Sequence, residues 1–333
     1  MLKPHHKRPR VWPSTVVAVA GSLLVACQVI IGVEMRSASP DAGPRPAARP
    51  ATTDEDGGAA SDAAVDAALR DGGCDLAKPF DTPSPLTSLN TVNGEFSATL
   101  SSDEREIFYT TTQPGSALVH RATRETRDVD FSAGTVVEEL RDIPSPHWSV
   151  SLSADGATLL VTAKAPPRDL YRAVRASKTA PFAPAALVSF ESWSQPEEQV
   201  FASARGALYL GVQSGPQFDL FLAGLADGGG YRTPTPLLFF NTQAAGGERG
   251  VARGGGVPGS HYASGDGVSA EILEAKRTSL SAPFFTGATL SFPAAARKHP
   301  LWISPDGCRL YLVQDNAPGG QGGADLWVAA RPP

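Results

Sequence analysis

Apolar residues in this chain fall into short runs separated by turns rich in Gly, Pro and Asp, from about residue 80 to the C-terminus. The clearest example is the apolar run Leu301-Trp302-Ile303, followed by the turn Pro305-Asp306-Gly307 and the return run Leu310-Tyr311-Leu312-Val313. Short apolar runs joined by tight turns are typical of antiparallel strands and not of helices. The pattern therefore predicts an all-β region built from successive hairpins.

The hairpins recur with a period of about 51 residues. Aromatic-led units begin at Phe80, Phe131, Phe182, Tyr231 and Phe285. Hairpin turns centre on Asp103, Asp155-Gly156, Arg205-Gly206, Gly255-Gly256 and Asp306-Gly307. Four antiparallel strands in each repeat of this length indicate a β-propeller blade. We predict an all-β fold, a single five-bladed β-propeller with four strands per blade; six blades remain open, because the fourth copy is degenerate.

The two ends of the repeat region are complementary. The repeats begin with the aromatic-led strand, about residues 80–90, and end with a third strand at Trp327. We expect the N-terminal strand to complete the last blade, which closes the ring and removes a free sheet edge. Cys74 precedes that strand, and Cys308 lies in the first turn of the last blade, so a Cys74–Cys308 disulfide would lock the ring. The alternative is two unpaired thiols.

The N-terminal segment resembles a secretory leader. A basic head is followed by an uncharged stretch from Val11 to Val33, which contains the lipobox-like run Leu24-Val25-Ala26-Cys27. We expect residues 1–27 to be a lipoprotein signal peptide, with lipid attached at Cys27, and residues 28–74 to be a disordered tether. The β-propeller then occupies residues 75–333. An uncleaved signal anchor is the alternative, and both place the propeller outside the cytoplasmic membrane, in the periplasm or at the cell surface.

Composition excludes several functions. The formal net charge is −5 and the repeat region has no basic patch, which disfavours nucleic-acid binding. There is no Gly-x-Ser-x-Gly, no His-Glu-x-x-His and no phosphate-binding loop. The Asp residues of the Asp-Gly turns are explained by turn geometry. No cofactor is expected.

One set of residues recurs just before the innermost strand of each repeat. Its members are Glu95, His147, Glu198, Arg249 and His299. Their spacing predicts a polar ring at one mouth of the central channel, which could hold a divalent metal or a polar ligand. The alternative is a solvated ring of loop residues. Glu95 and Glu198 are also the candidate carboxylates for a glycan hydrolase, although no local motif supports that activity.

The run Trp302-Ile303-Ser304-Pro305-Asp306-Gly307, followed by Gly323-Ala324-Asp325-Leu326-Trp327, resembles the TolB-type, WD-like β-propeller repeat. With the leader, the chain resembles secreted, lipid-anchored propellers of large-genome Gram-negative bacteria such as myxobacteria. The resemblance implies a binding or scaffolding role in the cell envelope, for a protein or glycan partner, and no shared catalytic residues. It leads us to expect a monomeric head that is not an enzyme, with a carbohydrate-active hydrolase as the alternative.

Overall fold

The computed structural model describes residues 73–333 apart from short gaps. The gaps are residues 114–115, 165–168, 194, 196, 204–205, 215–216, 228, 238–240, 242–247, 253–258, 265–270, 277–284, 291 and 293–296. The predicted leader, Cys27, nearly all of the tether and the predicted turn at Gly255-Gly256 lie outside the described residues. No helix within the described part of the chain is long and apolar enough to cross a membrane.

The described chain is all-β, apart from a single 3₁₀ turn at Glu138–Leu140. Its strands pair into four-stranded antiparallel sheets. The first sheet contains β2 (Glu95–Leu100), β3 (Glu106–Gln113), β4 (Ser116–Thr123) and β5 (Thr135–Val136), and the second contains β6 (His147–Leu152), β7 (Thr158–Ala163), β8 (Asp169–Val174) and β9 (Ala186–Leu187). The third contains β10 (Glu197–Ala202), β11 (Leu208–Ser214), β12 (Gln217–Ala223) and β13 (Thr235–Pro236).

Two further sheets complete the described part. The fourth contains β14 (Glu248–Ala252), β15 (Gly259–Ser264), β16 (Glu271–Lys276) and β17 (Phe285–Leu290), described mainly through its backbone pairing. The last sheet contains β18 (Arg297–Ile303), β19 (Arg309–Asp315) and β20 (Ala324–Ala330), with β1 (Ser84–Pro85) added at its edge. The arrangement confirms an all-β, propeller-like fold. The count of five blades is not confirmed by it and stays a prediction.

The hydrophobic core lies between neighbouring sheets. Tyr311 and Trp302 of the last sheet pack with Ile107 and Tyr109 of the first. The next layer joins Phe108 of the first sheet to the second sheet, and another joins the second sheet to the third. Sheets that are apolar on both faces and stacked in this way are typical of propeller blades.

The aromatic-led units anchor this core, but they are not themselves long strands. Phe80, Phe131, Phe182 and Tyr231 are each buried. In each of these units the outermost strand begins four residues later and is only two residues long. The fourth strand of these sheets is therefore shorter than the sequence predicted. Very short outer strands leave little exposed edge for association with other chains.

Ring closure by the N-terminal strand is confirmed, and so is the disulfide. β1 pairs antiparallel with β20, with Ser84 opposite Val328. Asn90 extends this junction, because its side-chain amide donates to the carbonyl of Leu326 and accepts from its N–H. Cys74 and Cys308 are bonded, with a sequence separation of 234.

One end of the sheets carries the first hairpin turn of each repeat, and we call it the turn end. In three sheets a Ser hydroxyl donates to the turn Asp, and that carboxylate accepts a backbone N–H two residues further on. The pairs are Ser101 with Asp103, Ser153 with Asp155, and Ser304 with Asp306. The structural interpretation of these Asp residues is therefore supported by their contacts.

A second recurring set of contacts at the turn end, made by an Arg in each of three sheets, was not predicted from the sequence. An Arg that follows the third strand donates its Nε–H to a turn carbonyl and lies over the ring of the aromatic-led unit. The pairs are Arg124 over Phe131 at 4.3 Å, Arg175 over Phe182 at 4.8 Å and Arg331 over Phe80 at 4.1 Å. The carbonyls belong to Glu104, Gly156 and Gly307. The repeated spacing of these Arg residues is the signal that would have identified them.

Glu104 shows how the first turn works without its glycine. Glu104 has φ 56°, at the position where the second and last sheets have Gly156 and Gly307. A left-handed backbone is unfavourable for a residue with a side chain. The buried carboxylate compensates, because it accepts the Tyr311 hydroxyl at 2.7 Å and lies 3.4 Å from the Arg309 guanidinium. This network joins the first and last sheets.

Candidate functional site: the central cavity

A cavity of about 670 Å³ lies where the innermost strands of the sheets converge. Its described lining comes from the first, second, third and last sheets. Most lining residues lie where the innermost strands begin, opposite to the turn end, and we call this the cavity end. A cavity of this size is typical of sites for small molecules.

Each innermost strand has a β-bulge, which lies near the strand start in the first four sheets and between Pro300 and Trp302 in β18. The pairing shifts between Glu95 and Ser97 in β2, and between His147 and Ser149 in β6. The extra residues, Phe96 and Trp148, both line the cavity. Bulges re-aim side chains and are common next to functional sites. The bulge therefore determines which residue of each strand lines the cavity.

The bulge residues also contact each other. The ring centroids of Phe96 and Trp148 are 4.8 Å apart. Lys164 Nζ lies 3.8 Å from the centroid of the Trp148 ring. Trp148 thus has an aromatic neighbour and a cation, and the cation–π contact orients a lysine that itself lines the cavity.

The second strand of each sheet supplies further polar residues as it ends. Thr112, Lys164, Gln213 and Asp315 lie at or next to the ends of β3, β7, β11 and β19 and line the cavity. Their spacing follows the repeat, so the reasoning used for the innermost strands would have identified them. The predicted ring contained only residues that precede the innermost strands, so it left these four residues out.

Asp315 provides the one carboxyl group among the described residues that line the cavity. Burial raises the pKa of Asp315, the neighbouring Asp325 carboxylate adds to this, and the Arg297 guanidinium opposes it. Arg297 Nε is 3.9 Å from the Asp315 carboxylate. This part of the lining contains a partly buried acid and a more exposed cation side by side.

Glu95 lies beside this region but not on the cavity surface. Its side chain is fully buried, and its carboxylate accepts the backbone N–H of Thr91 at 3.0 Å and the Thr91 hydroxyl at 2.7 Å. Burial raises the pKa of Glu95 to about 7 against the opposing effect of these hydrogen bonds. The solvated-ring alternative does not hold for Glu95, because its buried carboxylate binds Thr91 of the preceding loop and is not part of the described cavity lining.

His147 occupies the equivalent place in the second sheet. It is buried, and its Nε2 lies 3.1 Å from the carbonyl oxygen of Ile143. Burial lowers the pKa of His147, so the imidazole is neutral near pH 7. His299, by contrast, is partly exposed and lines the cavity.

Glu198 and Arg249 are described through their backbone only. Arg249 is register-equivalent to Glu95 and His147, since the bulge of β14 follows it. Glu198 is the extra residue of the β10 bulge, the position equivalent to Phe96 and Trp148. In β18 the pairing shift follows Pro300, so His299 lies one residue before the position equivalent to Glu95. The predicted ring therefore mixed three register positions, because a repeat length alone does not locate a bulge. A ligand-binding role for the five residues stays a prediction.

No group of three or more His, Cys, Asp or Glu residues within the described ranges is arranged to hold a metal ion. The aromatic and mixed-charge lining is better suited to an organic ligand.

Comparison with known proteins supports the fold. No family model and no curated protein matches the sequence. Among solved structures, the catalytic domain of the Coprinopsis cinerea GH62 α-L-arabinofuranosidase is similar, with 10% identity, TM-score 0.52 and coverage of 76% of this chain and 97% of that chain. A GH43_1 enzyme from Xanthomonas citri has 16% identity, TM-score 0.49 and coverage of 74% and 90%.

TolB from Acinetobacter baumannii is also similar, with 10% identity, TM-score 0.39 and coverage of 72% of this chain. This chain spans only 54% of that TolB chain. The expected relation to TolB-like propellers stays a prediction. The myxobacterial lipoprotein type stays a prediction.

These similarities correct one expectation. The chain was expected not to be an enzyme, yet the similar structures include the catalytic domain of a GH62 α-L-arabinofuranosidase. The expectation treated the propeller as a binding fold, whereas the same fold serves as a catalytic domain. At 10% identity the comparison shows the fold alone, and any activity must be argued from the residues of this chain.

Proposed function

We propose that this protein binds a carbohydrate in its central cavity. The observation that carries the proposal is the mixed lining of that cavity. Phe96, Trp148, Phe201 and Tyr209 provide aromatic surface, and Thr112, Gln199, Gln213 and Asn316 provide hydroxyl and amide groups. A sugar ring has apolar C–H faces and a rim of hydroxyl groups, so it matches aromatic surface interspersed with hydrogen-bonding groups.

The proposal includes a ring of five blades. Its support is the cyclic order in which sheets pack: Leu220 of the third sheet contacts Ala275 of the fourth, and Ile272 of the fourth contacts Leu310 and Leu312 of the last. With the three layers described above, every sheet has a neighbour on each side.

The proposal also places this propeller outside the cytoplasmic membrane, on the N-terminal lipid anchor at Cys27. The Cys74–Cys308 disulfide supports this, because such bonds persist in oxidising compartments. Envelope polysaccharides and secreted oligosaccharides are then the accessible ligands.

Hydrolysis of the bound sugar is a second candidate. Asp315 lines the cavity, and its raised pKa is the property that a general acid requires. Glycoside hydrolysis needs a second carboxylate on the other side of the scissile bond. Glu198 at the β10 bulge occupies a position whose equivalents line the cavity, and it is the candidate for that role.

Binding and turnover are measured together. The full-length chain, purified in detergent, is titrated calorimetrically with neutral and acidic oligosaccharides, and the same mixtures are assayed for new reducing ends. We expect saturable binding that Gln213→Trp abolishes by filling the cavity, while Lys178→Trp at the turn end has no effect. Absence of saturable binding to every oligosaccharide contradicts the proposal. New reducing ends that disappear in Asp315→Asn and Glu198→Gln establish the hydrolase; binding without product rejects it.

A further inference from the structure

We propose that the sugar bound in the cavity carries an anionic substituent, and that Lys164 recognises it together with Arg297. This inference rests on the proposed function and adds the chemical class of the ligand. Both cations line the cavity, on the second and the last sheet respectively.

Lys164 is held in place without being neutralised. Its backbone N–H donates to the carbonyl of Pro146 at 2.8 Å, and its side chain is half-buried with Nζ over the Trp148 ring. Among the described residues, no carboxylate oxygen forms an ion pair with it. A cation–π contact attracts the ammonium but accepts none of its three N–H donors in a directed hydrogen bond. Those donors remain available to a ligand.

The neighbouring acids do not cancel this charge. Asp315 forms an ion pair with Arg297 at 3.9 Å and not with Lys164. Asp325 is fully buried and accepts the backbone N–H groups of Gln321 and Gly322, and Glu95 is enclosed as described above. The described surface of the cavity therefore carries two cations against one carboxylic acid.

A half-buried ammonium without a counter-ion is unfavourable unless a ligand supplies one. The carboxylate of a uronic acid and the sulfate of a sulfated sugar have the required charge and accept several N–H donors. A neutral sugar offers only hydroxyl and ring oxygens to these donors, and such hydrogen bonds are weaker than those to an anion. The lining thus favours an anionic sugar over its neutral counterpart.

The test uses matched ligands on the full-length chain. The probes are trigalacturonic acid, its methyl ester and a 6-O-sulfated galactotriose, titrated at low and at high ionic strength. We expect trigalacturonic acid to bind at least about tenfold more tightly than the ester, because a charge-assisted hydrogen bond is worth roughly this factor. Added salt should weaken only the anionic ligands. Tight binding of the sulfated probe alone would identify sulfate in place of carboxylate as the group recognised.

Variants assign the effect to Lys164. Lys164→Gln should remove the preference for the acid, and Lys164→Arg should retain most of it. Lys178→Gln is the matched control, because Lys178 forms an exposed ion pair with Asp103 at the turn end. Equal binding of acid and ester, unchanged in Lys164→Gln, overturns this inference and leaves carbohydrate binding intact. Failure of all the oligosaccharides to bind overturns the proposed function and this inference with it.

Discussion

The two ends of the sheets use their polar residues in opposite ways. At the turn end, Glu106 illustrates the pattern: its carboxylate accepts the buried Arg175 guanidinium at 2.5 Å and the Arg121 guanidinium at 2.6 Å. At the cavity end, Lys164 contacts an aromatic face, and the side chain of Gln213, which lines the cavity, has no hydrogen-bond partner among the described residues. Polar groups at the turn end satisfy each other, whereas Lys164 and the Gln213 side chain remain available at the cavity end.

The contrast indicates that the turn end contributes mainly to stability and the cavity end mainly to ligand recognition. The turn-end contacts join one sheet to the next: Glu106 and Glu104 both belong to the first sheet, and their partners include Arg175 of the second and Tyr311 of the last. The cavity end has polar groups positioned by packing and aromatic contact. Substitutions at the turn end should therefore lower stability without changing affinity. Substitutions of residues that line the cavity should lower affinity without changing stability.

The largest expected effect is that of Arg175→Ala. Arg175 is buried and forms hydrogen bonds to Glu106 and to the Gly156 carbonyl. Removing one partner of a buried ion pair costs about 3–5 kcal/mol, because the other charge remains buried. Urea denaturation should show this loss, with ligand affinity unchanged below the transition. Arg232→Ala, at an exposed pair with Asp227, should cost less than about 0.5 kcal/mol. Equal losses in the two variants would contradict the account.

Removal of the disulfide should have the next largest effect. Cys74→Ser with Cys308→Ser opens a bridge between positions 234 residues apart. Loss of a native disulfide typically costs about 2–5 kcal/mol. A shift of the urea midpoint measures the loss, and the same shift should follow from treating the wild type with a reductant. A midpoint that does not respond to either treatment would show that β1 and Asn90 close the ring without the disulfide.

Glu95 predicts a pH dependence that originates at the cavity end. Burial raises its pKa from 4.5 to about 7, so the folded state binds its proton more tightly than the unfolded chain does. The stabilisation is complete below pH 4.5 and is lost as the pH rises through about 7. Glu95→Gln should flatten the fall in stability over this range and be more stable than the wild type above it. An unchanged slope, measured by thermal denaturation across the range, would contradict the enclosed position of Glu95.

The smallest effect is expected for a single turn. Asp155→Ala removes acceptors for the Ser153 hydroxyl at 2.6 Å and the Ala157 N–H at 2.9 Å. We expect a loss of about 1 kcal/mol, as for other local side-chain-to-backbone hydrogen bonds. The matched control is Asp227→Ala, whose carboxylate is almost fully exposed and which should be neutral in the same urea titration. If Asp155→Asn keeps the stability of the wild type, the acceptor geometry of this side chain and not its charge stabilises the turn.

Much of the fold followed from the sequence, and less of the site did. Turn residues such as Asp155-Gly156 act locally, so their spacing indicated the hairpins, and the order of strands indicated closure at Cys74 and Cys308. Which residues line the cavity depends on a β-bulge that inserts one extra residue in each innermost strand. The length of the repeat does not reveal where that bulge lies. Glu95 was therefore expected at the surface of the mouth, whereas Phe96 takes that place. Lys164 was missed because the predicted ring drew only on the innermost strands, whereas Lys164 follows the second strand of its sheet.

The central claim is that the cavity binds a sugar, and Trp148 provides the most direct measurement of it. Trp148 lines the cavity, so its fluorescence should change when the cavity is occupied. We predict a saturable change on titration of the full-length protein with trigalacturonic acid, absent in Trp148→Phe and in the cavity-filling Gln213→Trp variant. A signal that stays flat while calorimetry detects binding would place the sugar elsewhere on the molecule and contradict the account.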